Sequence, residues 1–217
     1  RDEVYYHEML VHPVLHAHPA PRSVLVVGGG DGGSMREVLK HGCVEQAVLV
    51  DIDDAVTRVV GEWLPQMTAS LADPRVDRVG MAGAAFLAQN TRSFDAIIVD
   101  STDPVGPAKE LFTDEFYSLA AGRLTANGIL VTQSESLHFH ADFVTSVQQR
   151  LAAHFPIVDC LTQAIATYAG NWWTFSLASK QDLTDGPRRE PVAGLRFYSD
   201  AVHRWAFVPR DALDSMT

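Results

Sequence analysis

Cysteine is almost missing from this sequence. Its 217 residues include only two cysteines, Cys43 and Cys160, which lie far apart. Two such cysteines make neither a disulfide framework nor a cysteine-based zinc site. They are typical of a protein in a reducing compartment, so we expect a cytoplasmic location.

Long apolar runs are missing as well. None approaches the roughly 20 residues that a membrane-spanning helix needs, and no signal peptide, internal repeat or low-complexity segment is visible. Hydrophobic residues make up 47% of the chain and charged residues 20%, which is ordinary for a globular protein. The length is enough for one α/β domain with a buried core. We therefore expect a single domain over residues 1–217 and no membrane partner.

Basic residues are scarce relative to acidic ones. The 17 Lys and Arg residues stand against 27 Asp and Glu residues, which gives a net charge of −10. This deficit argues against a nucleic-acid partner, because a phosphate backbone binds basic surfaces. An acidic protein suits a cationic ligand. Solubility alone accounts for the charge equally well, so the charge does not decide between the two.

The most informative stretch begins at Val24. Residues Val24–Val27 form a continuous aliphatic run, which is typical of a strand buried on both faces of a parallel sheet. Five of the six residues from 28 to 33 are glycine, which permits a tight turn and close approach of a ligand. A helical pattern follows over 34–40, and Asp51 ends the next apolar run, where an acid is placed to bind ribose hydroxyls. The alternative is a glycine-rich turn that binds no ligand.

Strands and helices alternate along the rest of the chain. Apolar runs predict seven strands, at 24–27, 46–51, 75–80, 94–100, 129–133, 157–162 and 172–179. Helical patterns predict helices at 6–15, with an interruption near Pro13, and at 33–40, 54–63, 84–89, 114–124 and 141–154. This alternation predicts an α/β fold with a doubly wound, mainly parallel seven-stranded sheet.

Polar side chains follow the predicted strands at their carboxyl ends. Asp31, Asp51, Asp100, Asp103 and Gln133 all fall there, at the edge where such sheets bind ligands. Four carboxylates above apolar strands would repel one another and would be desolvated. A ligand with ammonium groups would relieve both effects. A divalent metal ion is the alternative, since carboxylates suit Mg²⁺.

Three further features have both a functional and a structural interpretation. Residues Asp100–Pro107 combine acids, prolines and a glycine, which favours a movable lid, although a plain turn after a strand has the same composition. Tyr6, Tyr168 and Trp172 offer walls for a methylene chain, or they belong to the core. His138 and His140 have a spacing that permits metal binding, but we interpret them as part of a solvated loop.

Several motifs, taken with their mutual spacing, resemble those of spermidine synthases, which are polyamine aminopropyltransferases. The resemblance covers nearly the whole sequence. The matching segments are Asp2–Met9, Val27–Gly33 with Arg36–Val38, Asp100–Pro107, Leu111–Thr113, Gln133–Glu135, Thr167–Tyr168, and Phe197–Tyr198 with Val202–His203.

The resemblance implies a methyltransferase-like (Rossmann-like) fold and a reaction. The family transfers the aminopropyl group of decarboxylated S-adenosylmethionine to putrescine or a related diamine, which releases methylthioadenosine, and it needs no metal. Asp100 matches the family's proton acceptor. The residues that match the cofactor side are His7, Gly28, Gly30, Asp31, Asp51, Ala82, Gly83 and Pro107. The residues that match the amine acceptor's side are Tyr6, Asp103, Gln133 and Tyr168.

The sequence departs from the family pattern at the cofactor side. Asp51 stands where the family has a glutamate, which is one methylene longer. Ala82 stands where the family has an aspartate that accepts a hydrogen bond from the adenine amino group. Such a bond contributes about 0.5 to 1.5 kcal/mol. The family's N-terminal β-strand domain has no counterpart in this segment, and the resemblance also implies a homodimer or homotetramer.

Two other functions remain open at this point. A polyamine N-methyltransferase would use ordinary S-adenosylmethionine, whose carboxylate would be repelled by an acid at Asp31. A homologue with impaired cofactor binding would act as a non-catalytic binding or assembly protein, and Ala82 would be its first sign. Asp31 therefore favours aminopropyl transfer over methyl transfer.

Overall fold

Seven strands form the centre of the computed structural model, which describes residues 2–168, 172–183, 185–190 and 192–215. In chain order they are β1 Ser23–Gly28, β2 Gln46–Asp51, β3 Val76–Gly80, β4 Phe94–Asp100, β5 Leu124–Ser136, β6 Ile157–Ala164 and β7 Trp172–Ser179. Their spatial order in the single sheet is β3-β2-β1-β4-β5-β7-β6.

The sheet is parallel except at one edge. β1 pairs in parallel with β2 and β4, and β2 and β4 continue in parallel to β3 and β5. β7 runs antiparallel between β5 and β6. The prediction of a doubly wound, mainly parallel seven-stranded sheet is therefore confirmed. The strand order reverses between β1 and β4, and this is where sheets of this kind bind ligands.

Helices cover both faces of the sheet. They are α1 Glu3–Ala17, α2 Gly33–Leu39, α3 Asp54–Trp63, α4 Pro65–Thr68, α5 Gly83–Gln89, α6 Asp114–Arg123, α7 Ala141–Ala152, α8 Asp200–Ala206 and α9 Arg210–Ser215. Two 3-10 segments lie at Ala69–Ala72 and Gly106–Phe112. Within the described ranges, no helix is long and apolar enough to span a membrane.

The side chains of β1 alternate between two hydrophobic cores. Val24 and Val26 belong to the core that includes α1 and α2. Leu25 and Val27 belong to the core that includes α5, α6 and α7. Both faces of β1 are buried, and this explains why its sequence is a continuous aliphatic run rather than an alternating one.

The predicted interruption of the first helix near Pro13 is wrong. α1 continues through Pro13 to Ala17. A proline inside a helix removes one backbone hydrogen bond and costs about 3 kcal/mol. Every residue from 6 to 17 is buried in this helix. Packing against α2 and the sheet therefore outweighs the local penalty.

The predicted boundaries fail in the second half of the chain. Asn127–Gly128, a pair typical of a turn, lies within the bounds of β5. Leu124 pairs with Phe94 while Ile129 pairs with Ala96, so the register of the two strands shifts between these pairs. Helices α8 and α9 have seven and six residues, which is too short for a recognisable helical period. The sequence predicts that residues 167–170 connect β6 to β7, and positions 169 and 170 lie outside the described residues.

The buried carboxylate of Glu8 fixes α1 to the C-terminal part of the chain. It accepts hydrogen bonds from the backbone N–H groups of Arg196, Phe197 and Tyr198, at 2.8, 2.9 and 2.7 Å. Hydrogen bonds to an ionised acceptor are stronger than neutral ones. This anchor lies one residue from His7 and two from Tyr6, so it also fixes the position of those side chains.

A chain of hydrogen bonds connects buried histidines between α1 and α2. The Arg189 guanidinium lies 3.4 Å from His41 Nδ1, and His41 Nε2 lies 2.9 Å from His12 Nδ1. His12 Nε2 lies in turn 2.9 Å from the Glu37 carboxylate. The buried histidines are therefore linked to a carboxylate in α2.

His16 lies in the same cluster without polar contacts. Its ring stacks between those of His12 and Tyr198, with centroid distances of 5.7 and 5.0 Å. Neither ring nitrogen has a hydrogen-bond partner within the described part of the chain. Burial, followed by repulsion from His12, lowers the pKa of His16 to about 3. Burial likewise lowers the pKa of His41 to about 2.

Replacing His16 with Phe is expected to stabilise the protein, most strongly at mildly acidic pH. Below pH 6.5, the ordinary histidine value, the unfolded chain binds protons that the folded chain excludes down to about pH 3. The free energy of unfolding therefore decreases as the pH falls through this window. His16→Phe removes this titration and an unsatisfied polar group that costs about 1 to 3 kcal/mol.

Thermal unfolding of the parent and His16→Phe at pH 7 and pH 5 checks this expectation. The variant should have the higher Tm at both values and a smaller loss between them. His138→Phe, in an exposed loop, is the control and should leave the pH difference unchanged. A variant that loses as much Tm as the parent on acidification would contradict the role given to His16.

Candidate active site

A cavity of about 810 Å³ opens at the carboxyl ends of β1, β2 and β4. This volume is typical of sites for small molecules. Twelve of the thirteen predicted site residues line it, which are Tyr6, His7, Gly28, Gly30, Asp31, Asp51, Ala82, Gly83, Asp100, Asp103, Pro107 and Tyr168. The sequence therefore predicted which residues the fold brings together, while their individual roles stay predictions.

The remaining predicted residue, Gln133, does not line the cavity. It is 1% exposed, and its side-chain amide donates to the Thr102 carbonyl at 3.2 Å. Its amide oxygen accepts the backbone N–H of Glu135 at 3.1 Å. Gln133 therefore holds the loop after β4 from behind, and its contact with the amine acceptor stays a prediction.

The glycine turn allows the β1 end to pack directly on the β4 end. Gly28 has φ +80, and a Cβ there would lie 2.1 Å from the carbonyl oxygen of Asp100. Gly33 lies against the ring of His7, where a Cβ would be 2.3 Å from a ring atom. Any larger residue at either position would displace a predicted site residue.

Asp100 is held by hydroxyl groups from two helices. Tyr6 donates to Oδ1 at 2.9 Å and Ser34 donates to Oδ2 at 2.7 Å. Tyr6 and Ser34 are both buried. The two donors fix the orientation of the carboxylate and leave its remaining lone pairs toward the cavity.

Asp31 and His7 form the neighbouring part of the wall. Asp31 Oδ1 accepts the Gly33 N–H at 2.8 Å, and Asp31 Oδ2 lies 3.8 Å from His7 Nε2. Burial and the charge of Asp100 raise the pKa of Asp31. Burial opposes the charged form of His7, but its hydrogen bond to Glu3 and the charges of Asp100 and Asp31 raise its pKa overall.

The geometry of this wall also suits a metal ion. His7, Asp31 and Asp100 can each offer one ligand atom, and these atoms lie within 4.8 Å of one another. The sequence leaves a divalent metal ion open as the alternative to an ammonium ligand. His7 adds a nitrogen donor beside the two acids. The same carboxylates also suit an ammonium group, so the geometry alone does not select a metal ion.

Asp51 lies farther along the cavity, at the end of β2. Its Oδ2 accepts the Gly30 N–H and its Oδ1 accepts the Asp53 N–H, both at 2.9 Å. Thr57 donates to the carbonyl of Gly30 at 2.6 Å. Asp51 therefore orders the glycine turn while it faces the cavity.

Aromatic rings line the opposite side of Asp100. Tyr168 stacks on Trp173 with a centroid distance of 4.2 Å, and Tyr6 meets the edge of Tyr168 at 5.8 Å. Asp103 lies in the exposed loop after β4. This side is a narrow apolar passage between two acids, one at its inner end and one at its mouth.

Beyond Asp51 the cavity wall is largely apolar, although Asp53 and Glu110 also line the cavity. Ile52, Val56, Met81 and Leu111 line this recess together with Ala82. Ala82 is also the N-cap residue of α5, and no side chain caps that helix end. An aspartate at this position would both cap α5 and offer a hydrogen-bond acceptor to the recess.

Sequence reasoning missed three residues of the site. Ser34 gave no signal because it follows the glycine turn as an ordinary helix residue. Glu3 stands four positions before His7, a spacing at which helical side chains interact, and this signal was available. Trp173 was visible only as part of a strand.

Comparison with known proteins places this arrangement in a family. The family model for the spermine/spermidine synthase domain matches residues 3–186. The chain belongs to the spermine/spermidine synthase family. Polyamine aminopropyltransferase 1 of Aquifex aeolicus is 49% identical over 207 residues, which cover 95% of this chain and 74% of that protein. The Bacillus subtilis polyamine aminopropyltransferase is 42% identical over 210 residues, which cover 96% and 76%.

Solved structures give the same result for the fold. A spermidine synthase in complex with the transition-state analogue AdoDATO superposes with a TM-score of 0.89 at 33% identity, over 98% of this chain and 75% of that one. The spermidine synthase of Thermotoga maritima gives a TM-score of 0.87 at 32% identity, over 98% and 74%. The predicted family, fold class and enzyme class are confirmed, and neither rival function gains support.

Ala82→Asp is expected to stabilise this spermidine synthase relative. Supplying an N-cap side chain contributes about 1 kcal/mol, which corresponds to about 2 to 4 °C in Tm for a chain of this size. The new acceptor should also tighten binding of methylthioadenosine, used as a nucleoside probe, by about two- to tenfold. Differential scanning calorimetry and isothermal titration calorimetry measure the two effects.

Ala82→Val is the matched control, because it changes the size of the side chain without adding a cap or an acceptor. It should raise neither Tm nor affinity. If Ala82→Asp raises the Tm without tightening nucleoside binding, another group already accepts the hydrogen bond of the adenine amino group. The inference that the recess lacks an acceptor would then be wrong.

Proposed function

We propose that this chain transfers the aminopropyl group of decarboxylated S-adenosylmethionine to putrescine, forming spermidine and methylthioadenosine. The observation that carries this proposal is the position of Asp100. Its carboxylate lies between a wall that contains Asp31 and an aromatic passage that leads to Asp103. Family membership supports the same reaction, since the relatives are polyamine aminopropyltransferases.

The donor fits the side of the cavity that contains Asp31 and Asp51. Asp31 is placed to hold the terminal ammonium of the aminopropyl group, because its Oδ2 faces the cavity beside His7. Asp51 is placed to accept hydrogen bonds from ribose hydroxyls at the end of β2. The apolar recess around Ala82 accommodates the adenine ring.

The acceptor fits the aromatic passage. Its four-carbon methylene chain would lie against Tyr6, Tyr168 and Trp173, whose rings form apolar walls. Asp103 at the mouth is placed to bind the distal ammonium, and Asp100 receives the proximal one. A charge at each end of an apolar passage selects a diamine of matching length.

Asp100 supplies the proton transfer that the reaction needs. The proximal ammonium has no lone pair, so it must first give a proton to Asp100. The neutral amine then attacks the carbon next to the sulfonium, the C–S bond breaks, and its electron pair goes to sulfur. The leaving group is a neutral thioether. The proton on Asp100 finally passes to solvent, so charge and atoms balance.

Other expectations stay proposals. Residues 1–217 as one catalytic domain are supported by the single sheet on which all the strands lie. A homodimer or homotetramer is compatible with the apolar residues that α3 exposes, above all Trp63 and Val59. A cytoplasmic location is supported by the free thiols of Cys43 and Cys160.

Asp100→Asn is expected to abolish turnover while the fold is retained. The amide has the same shape as the carboxylate but does not accept the proton, so kcat should fall by about 10² to 10⁴. Steady-state rates with putrescine measure this, and the Tm checks the fold. Asp142→Asn, an exposed acid in α7, is the control. Activity within about tenfold of the parent would remove Asp100 from the role of base.

Asp31→Asn is expected to change the choice of donor. The substitution removes a charge-assisted hydrogen bond to the aminopropyl ammonium, worth about 1.5 to 3 kcal/mol. Decarboxylated S-adenosylmethionine should then bind about 10- to 100-fold more weakly. Ordinary S-adenosylmethionine should lose less, since its carboxylate no longer meets a like charge.

Calorimetry measures the affinities for decarboxylated and ordinary S-adenosylmethionine before and after the substitution. The ratio of the first affinity to the second should fall in Asp31→Asn. Equal losses for both ligands would make Asp31 a turn residue only. A parent protein that prefers the carboxylated ligand would replace aminopropyl transfer by methyl transfer.

A further inference from the structure

His7 is held in one orientation on the donor side of the cavity. Only 5% of the residue is exposed. Its Nδ1 lies 2.9 Å from Glu3 Oε2, its Nε2 lies 3.8 Å from Asp31 Oδ2, and its ring packs on Gly33. Glu3 is the group that the proposed reaction leaves without a role.

Glu3 is itself fixed from α2. Its Oε2 also accepts from Arg36 at 2.8 Å. Arg36 Nε donates to Glu37 Oε1 at 2.8 Å, and Glu37 Oε2 accepts from His12. The Glu3 carboxylate, which contacts His7, is therefore one end of a hydrogen-bond network. The other end of this network is the buried histidine cluster. A freely moving surface acid would not be restrained in this way.

The charges around His7 fix its tautomer. The hydrogen bonds from His7 and Arg36 outweigh burial, which acts in the opposite direction, and lower the pKa of Glu3 to about 2. The carboxylate is therefore ionised at neutral pH and can only accept. His7 Nδ1 must then carry a hydrogen. The groups that face the ring are Glu3 and Tyr6 from α1, Asp31 from the glycine turn and Asp100 from β4.

We propose that Glu3 is a positioning residue that acts through His7, by holding Nδ1–H so that Nε2 faces Asp31 and Asp100 at the aminopropyl end of the donor site. This inference rests on the proposed function for the identity of the donor. Without Glu3 the ring can rotate or exchange tautomers, and the wall that receives the aminopropyl ammonium loses its fixed geometry. Glu3 does not touch the reacting atoms.

The first test follows the ring directly and does not depend on turnover. Histidine NMR titrations compare the parent, Glu3→Gln and Glu3→Ala, and the His7 signal among the nine histidines is assigned by its loss in His7→Gln. The pKa of His7 should fall by about one unit or more in both Glu3 variants. Glu62→Ala, an exposed acid in α3, should not shift it. An unshifted His7 in Glu3→Gln would overturn the proposal.

The second test separates an effect through His7 from a general one. Glu3→Ala should raise the KM for decarboxylated S-adenosylmethionine by about two- to tenfold, with a smaller effect on kcat and on the KM for putrescine. Glu3→Gln keeps an acceptor for Nδ1–H and should recover part of the loss. In a His7→Gln background, Glu3→Ala should add less than about twofold.

An equal effect of Glu3→Ala in both backgrounds would show that Glu3 does not act through His7. The conservative Glu3→Gln variant keeps the test valid if Glu3→Ala does not fold, which far-UV circular dichroism detects. A parent protein without aminopropyl transfer would refute the proposed function, and the NMR titration would then still decide whether Glu3 positions His7.

Discussion

The Asp100 carboxylate depends on two hydroxyl groups that come from different helices. Tyr6 of α1 holds one oxygen and Ser34 of α2 holds the other, while Gly28 packs against the backbone of the same residue. Two helices and the β1 turn therefore meet at the end of β4. A movement of any one of them would displace the Asp100 carboxylate. The packing of the helices on the sheet therefore determines the geometry of the cavity.

The parts that could be predicted from the sequence have local signals. The aliphatic run of β1 and the glycines after it identify the central strand and its turn without any tertiary information. Asp51 and Asp100 each end an apolar run, and a parallel sheet brings such ends to one edge. For this reason the position of these acids in the cavity wall was foreseen, although their direct contacts were not.

The parts that could not be predicted depend on contacts between distant segments. Ser34 and Asp100 are 66 positions apart, and no spacing rule connects them. Gln133 stands at a strand end like the acids, yet its side chain turns toward Thr102. Pro13 lies inside a helix because the tertiary packing of α1 outweighs the low helix propensity of proline. Motif matching located the site, and only the fold assigned the supporting groups.

The anchor at Glu8 has a consequence for the order of folding. Its partners lie 188 to 190 positions away, so the anchor cannot form before residues 196–198 are available. Contacts of such long sequence separation form late, because the loop that they close is large. The sheet can assemble first, and the end of α1 that carries Tyr6 and His7 is fixed when this anchor forms. The anchor therefore links the folding of residues 196–198 to the geometry of the cavity wall.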